Sequence, residues 1–276
     1  MPPLRASQAG LAYADTGGCG PAVVLLHGVG LDHTMWAAQV AALAGAYRVI
    51  LPDMPGHGAS APLLPGAGLA DYAAALEALL AEIEAGPCAL VGFSMGALVA
   101  RAHALAHGER LRALVLMSGV FGRSEEARAA ILARVAEVEA GGPGANAEAA
   151  IARWFSPEWR AAHPEALAAL RGQLHGNDWA GYLASYRLFA TQDNYGAERL
   201  AAITVPTLVV TGEHDVGSTP AMALALARAI PEARAQIVPG ARHMMPVEHA
   251  EATNALLVRQ LARTLTPTSA LGVLPQ

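Results

Sequence analysis

Lysine is absent from this chain of 276 residues: all 18 of its basic residues are arginine, set against 23 acidic ones, for a formal charge of −5. A nucleic-acid partner needs a basic patch or stripe to neutralise phosphates, and here there is neither a positive excess nor a basic run. Arginine without lysine is read as genome composition rather than function. Cysteine is almost as scarce. Cys19 and Cys88 stand far apart, the second inside an apolar run, so a disulfide framework is excluded and a reduced, cytoplasmic protein is the expectation. No cysteine and histidine group has metal-ligand spacing, and no metal or other cofactor is expected. Long hydrophobic runs are missing too. The 54% hydrophobic fraction is inflated by alanine, and no stretch reaches the ~18 strongly apolar residues of a membrane span. Residues 1–15 lack the basic start and apolar centre of an export signal. There are no internal repeats, and no heptad or interface stripe points to self-association, although exposed apolar surfaces would leave a homo-oligomer open.

What is present is concentrated at Gly92-Phe93-Ser94-Met95-Gly96. This pentapeptide follows the apolar run Cys88-Ala89-Leu90-Val91 and precedes a helical stretch over 97–106, so it reads as a strand, a sharp turn and a helix. A serine on such a turn is held with its hydroxyl above the sheet, and a side chain at either flanking glycine would crowd the turn. Ser94 is therefore the candidate nucleophile.

A serine nucleophile needs a base, the base an orienting acid, and the reaction donors for the charge that develops on a carbonyl oxygen. Of the ten histidines, His243 alone sits in a turn after a late strand, 235–238, and before a final helix. Asp215 follows the strand-like 207–210 and the turn Thr211-Gly212-Glu213-His214, with Glu213 and His214 as its nearby competitors for the acid role. The strand after the nucleophile helix, 112–117, ends at Ser118-Gly119 with no carboxylate, which favours Asp215. The apolar strand Ala22-Val23-Val24-Leu25-Leu26 runs into His27-Gly28-Val29-Gly30, and the backbone N–H groups of Val29 and Met95 are the candidate oxyanion donors. His27 is read as fixing that loop. Asp53 and His57, in the proline- and glycine-rich turn Pro52-Asp53-Met54-Pro55-Gly56-His57-Gly58, are read as scaffold.

Strands alternating with helical stretches imply an α/β protein with a mostly parallel central sheet and helices on both faces. The alternation stops between 121 and 199, where the sequence is helix-rich with breaks at Gly141-Gly142-Pro143-Gly144, Pro157 and Gly176. The expected division is a core of 1–120 and 200–264, an inserted helical cap of 121–199, and a loose tail of 265–276.

With its H-G-x-G, D-x-P-G-H-G, G-x-S-x-G, late G-x-x-D and late histidine elements in this order, the chain resembles the α/β-hydrolase-fold serine hydrolases over residues 8–264. The order Ser94, Asp215, His243 is that of the family's triad. A closer similarity is to the 3-oxoadipate enol-lactonases of aromatic-acid catabolism. It is carried by Ala152-Arg153-Trp154-Phe155-Ser156-Pro157, Asn177-Asp178-Trp179-Ala180-Gly181-Tyr182, Val205-Pro206-Thr207-Leu208 and Thr219-Pro220. The family commonly has Asp-Pro-Ala-Gly-Tyr where Asp178-Trp179-Ala180-Gly181-Tyr182 stands here, and its acid turn is shorter. Both departures fall where a substrate pocket would be lined.

The cap is expected to shape that pocket. Its candidate substrate-binding residues are Arg153, Trp154, Tyr182, Tyr186 and Arg187, with either arginine as the cation for a carboxylate. The resemblance implies hydrolysis of a lactone, ester or amide bond in a small, anionic molecule from aromatic or heteroaromatic breakdown. Carbon–carbon bond hydrolysis of a ring-fission product, cofactor-free haloperoxidase or perhydrolase activity, and non-catalytic binding of a small ligand stay open at this stage.

Overall fold

A computed structural model describes residues 1–265. The tail expected over 265–276 lies outside the described residues except for Leu265, which ends the last helix. Eight strands form one sheet: β1 (Leu4–Ala6), β2 (Ala12–Asp15), β3 (Ala22–Leu26), β4 (Arg48–Pro52), β5 (Cys88–Phe93), β6 (Leu111–Met117), β7 (Thr207–Gly212) and β8 (Ala233–Val238). Their spatial order is β1-β2-β4-β3-β5-β6-β7-β8. The first two strands pair antiparallel, and every pairing from β4 to β8 is parallel. Helices α1 (Ala37–Leu43), α2 (Leu69–Glu82) and α3 (Met95–Ala106) connect the early strands. Five more, α4 (Glu125–Gly141), α5 (Ala147–Trp154), α6 (Pro157–Ala162), α7 (Pro164–Gly176) and α8 (Trp179–Thr191), lie between β6 and β7. The described residues close with α9 (Pro220–Ala229), the short α10 (Met245–Glu248) and α11 (Ala250–Leu265).

The central strands read as continuous apolar runs because both faces are covered. Val24, Leu26, Ile50, Leu90, Leu114, Leu116 and Val209 face one core with Leu76 and Leu79 of α2, Leu98 of α3 and Leu226 of α9. Their neighbours in sequence, Val23, Leu25, Val49, Leu51, Val91, Val115, Leu208 and Val210, face the other with Leu43 of α1 and Leu257 and Leu261 of α11. This strict alternation is the two-residue period of a strand with two buried sides. Each fully buried branched side chain contributes ~1.5–3 kcal/mol by leaving water.

The parallel register carries function directly. Leu26 pairs with Gly92, Gly92 with Leu116, Met117 with Val210 and Gly212 with Val238. The carboxyl ends of β3, β5, β7 and β8 therefore open onto the same edge of the sheet, where ligands bind in folds of this kind.

The breaks read from the sequence fall at helix ends. Gly142, at a φ of +87°, caps α4, Pro157 opens α6 behind the capping Ser156, and Gly176 closes α7. Where the chain enters and leaves this helical insertion, Asp193 ties the two passes together. Its Oδ2 accepts from the Arg123 backbone N–H (2.9 Å) and from Arg128 (3.1 Å). Arg101, wholly buried on α3, donates to the Asp193 carbonyl (2.9 Å).

Candidate active site

Ser94 sits between β5 and α3 at φ 55°, ψ −113°, one of three non-glycine residues with positive φ among those described. A conformation of this type costs on the order of 1–3 kcal/mol, and its surroundings leave it no alternative. The Ser94 N–H donates to Met117 O (2.8 Å) and the Gly96 N–H to His27 O (3.1 Å). A Cβ on Gly92 would stand 2.1 Å from Gly96 O, and one on Gly96 would stand 2.4 Å from Leu26 O. Strand, turn and helix thus cross so closely that only hydrogen fits at both positions.

His243 Nδ1 lies 2.7 Å from Asp215 Oδ2. The carboxylate also takes the Gly217 and Ser218 N–H groups, both at 2.9 Å on Oδ1. Burial pushes the Asp215 pKa up, but the charge and hydrogen bond of His243 and the two backbone donors outweigh it and hold the group below its ordinary value. An acceptor that stays ionised requires the proton on His243 Nδ1, so Nε2 is the basic nitrogen. The imidazole packs against Phe93 (5.0 Å between centroids) and stacks on Trp154 (6.1 Å, 28° between planes). Ser94, Asp215 and His243 are buried and line one cavity. The competing Glu213 and His214 are exposed, and Glu213 accepts the Gly240 N–H (2.8 Å) instead.

The loop after β3 forms the opposite wall. His27 Nε2 accepts the Met54 N–H (2.8 Å), so its proton is on Nδ1, which donates to Gly28 O (2.8 Å). The wholly buried imidazole has its pKa pushed down by desolvation, which keeps this neutral tautomer. In a planar trans peptide the C=O and N–H point in opposite directions. Holding the Gly28 carbonyl back on His27 therefore turns the Val29 N–H the other way, and it meets no acceptor among the described residues. Gly28 and Val29 line the cavity. Met95 does not. Its side chain is buried in the core, and only its N–H, among the unpaired first donors of α3, is free to serve.

Asp53, fully buried, accepts from the His33 N–H (2.9 Å), His33 Nδ1 (2.8 Å) and the Ala59 N–H (3.0 Å). His57, whose pKa desolvation lowers to about 3, packs edge-on to His27 and Tyr182. Neither Asp53 nor His57 lines the cavity.

The helical insertion supplies the remaining wall. Of the five expected substrate-binding residues, Arg153, Trp154, Tyr182 and Tyr186 line the cavity. Arg187 requires correction: its side chain is 52% exposed on the outer side of α8 and pairs with Glu139. A single helical step of about 100° separates it in direction from Tyr186, and helical spacing without a known facing surface did not distinguish them. Arg123 and Arg134 line the wall in its place, along with the buried Asn146. The sequence offered no signal for Arg134, which lies on an alanine-rich helix with charged residues scattered along it. The hollow holds about 940 Å³ of non-protein space, its open mouth included.

A family model described as "Alpha/beta hydrolase family" matches residues 23–256. The (E)-2-((N-methylformamido)methylene)succinate hydrolase of Acinetobacter baylyi is 30% identical over 263 residues, 95% of this chain and 98% of that protein. Among solved structures, the enol-lactonase from Burkholderia xenovorans superposes with a TM-score of 0.86 at 30% identity, over 94% of this chain and all of the other. A thermophilic esterase from Thermogutta terrifontis, solved with malate bound, gives 0.82 at 32% identity over 93% and 94%. By fold, by family model and by these relatives, the chain belongs to the alpha/beta hydrolase family.

Proposed function

We propose that this protein is a serine hydrolase that cleaves a lactone, ester or amide bond in a small carboxylate-bearing molecule, within the breakdown of aromatic or heteroaromatic compounds. The observation that carries the reading is the 2.7 Å contact between His243 and a buried, ionised Asp215 in a cavity shared with a strained Ser94. In the proposed cycle His243 Nε2 takes the Ser94 proton as Oγ attacks the carbonyl carbon. The oxyanion forms against the Val29 and Met95 N–H groups. Collapse breaks the bond to the leaving group, which receives the proton from Nε2 and leaves an acyl-enzyme. Water then repeats the sequence, giving up its proton to Nε2 and releasing the acid from Ser94. Arg153, half-buried in the wall beside Trp154, supports an anionic substrate. The role in catabolism rests on likeness to an enol-lactonase and to a hydrolase of a substituted succinate.

The test is turnover of 3-oxoadipate enol-lactone, an amidomethylene-succinate and a neutral p-nitrophenyl ester by wild type and by Ser94→Ala. The expected result is fast cleavage of one anionic member, lost at least ~10⁴-fold in the variant. Cleavage of the neutral ester alone would leave the chemistry standing and reject the substrate class. Turnover that survives Ser94→Ala would reject the mechanism.

A further inference from the structure

The cavity wall formed by the helical insertion carries more positive charge than the protein itself balances. Arg123, Arg134 and Arg153 all line it. Arg123 is accounted for: Asp193 lies 3.7 Å from its Nη1, and the same nitrogen donates to the carbonyls of Phe189 (2.9 Å) and Ala190 (3.3 Å). Arg134 and Arg153 are different. Neither guanidinium has an ion pair or hydrogen bond among the described residues. The carboxylates of the surrounding helices are engaged elsewhere or face water. Glu139 holds Arg187, Glu148 holds Arg171, and Glu137 is exposed and acts on Arg153 only through space. Asp215, the one carboxylate lining the hollow, is taken by His243, Gly217 and Ser218. The two guanidiniums are moreover close enough to repel. After burial, the charge of Arg134 is the largest influence holding Arg153 below its ordinary pKa.

Both arginines are set by rigid parts. Arg153 precedes Trp154, whose ring stacks on His243 and whose carbonyl takes the Met244 N–H (3.0 Å), so α5 is pinned to the loop of the base. Arg134 lies on α4, where the buried Asn146 amide reaches its carbonyl and the Tyr186 hydroxyl, both at 3.4 Å. Two like charges turned into one partly desolvated hollow cost free energy unless something supplies their counter-charges. The partner that a guanidinium fork fits best is a planar carboxylate, met by two parallel N–H donors.

We propose that the cavity is a dianion site, in which Arg153 takes one carboxylate and Arg134 a second, so that the substrate is a dicarboxylate whose two carboxylates stand apart from the acid that hydrolysis releases at Ser94. The dianion reading deepens the proposed hydrolase function and rests on it for the reaction, but not for binding, since a dicarboxylate without a scissile bond should occupy the site.

The experiment is calorimetric titration of the full-length Ser94→Ala protein with succinate, glutarate and adipate, with butyrate and hexanoate as matched monoacids. At least one diacid should bind ten times or more tighter than its monoacid. Arg134→Gln should reduce that diacid to the monoacid level and leave the monoacid unchanged. Arg153→Gln should weaken both, by about 10- to 100-fold. Arg134→Lys, which keeps the charge but loses the fork, should recover part of the difference. Thermal melts of each variant check that the fold survives. Equal binding of diacids and monoacids, an Arg134→Gln protein that binds as the parent does, or no binding of any acid would each overturn the proposal. Labelling of the wild-type serine by a fluorophosphonate separates the two readings. A protein that labels at Ser94 but ignores diacids loses only the dianion site, and one that binds diacids but does not label loses the hydrolase reading.

Discussion

At the scale of single residues, the candidate site depends on groups that never touch a substrate. His27 is buried behind the loop after β3, with one nitrogen bonded to Gly28 O and the other to the Met54 N–H. Its proposed task is to aim the Val29 N–H by holding the far side of the same peptide. His27→Ala should lower kcat on an activated ester by at least tenfold, towards the ~100- to 1000-fold expected for complete loss of one oxyanion donor, with KM little changed. His27→Asn, whose amide can still donate to the Gly28 carbonyl, should recover part of the loss. Steady-state kinetics on both variants decide the matter, because an unchanged kcat in His27→Ala would mean that the loop holds its shape unaided. Gly92 and Gly96 act through what they lack, since a methyl group at either would enter backbone 2.1–2.4 Å away.

At the scale of elements, the insertion between β6 and β7 is hinged on a buried charge cluster. Asp193, fully buried between α8 and β7, is approached by Arg123 from the outgoing pass and by Arg128 from α4, while its backbone carbonyl receives Arg101 from α3. Removing one partner from such a cluster leaves uncompensated buried charge, which costs more than the ion pair itself contributes. Asp193→Ala should therefore cost ~3–5 kcal/mol, read as a lower urea midpoint, and Asp193→Asn should cost less because it can still accept the Arg123 N–H. A midpoint within error of wild type for Asp193→Ala would show that the arginines find water instead. The burial and the three convergent arginines belong to the tertiary structure. In the sequence Asp193 is one polar residue in Thr191-Gln192-Asp193-Asn194, with nothing to mark it.

At the scale of the whole molecule, insertion and core meet along a seam with little slack. Gly56 and Gly181 approach so closely that a Cβ on Gly181 would stand 2.7 Å from Gly56 Cα, and Gly30 lies directly beneath Tyr182 and Leu174. Backbone meeting backbone cannot yield as a flexible side chain can. Gly181→Val should wedge the seam, moving Tyr182 and Tyr186 away from the core wall. We expect KM for an anionic substrate to rise about tenfold or more while the fluorophosphonate reactivity of Ser94, set by β5 and α3, is retained. Reactivity falling in step with substrate binding would instead make the insertion part of the catalytic machinery itself.

Local pattern was enough for the parallel strands, the elbow and the chain positions of the candidates Ser94, Asp215 and His243, because each depends on a short-range rule: a buried strand is apolar, a tight crossing demands glycine, and a strand end opens a loop. The helix boundaries at Gly142, Pro157 and Gly176 were legible for the same reason. The facing of the inserted helices was not. Arg153 and Arg187 carry the same chemistry in the sequence, yet one lines the cavity and the other meets Glu139 in water, and Arg134 joins the first only because α4 happens to present it inward. Which way a helix turns is decided by the surfaces packed against it across tens of residues of chain. The sequence by itself therefore determined the fold and where along the chain the candidate reacting groups stand, while only the tertiary structure decided which charges share the cavity with them.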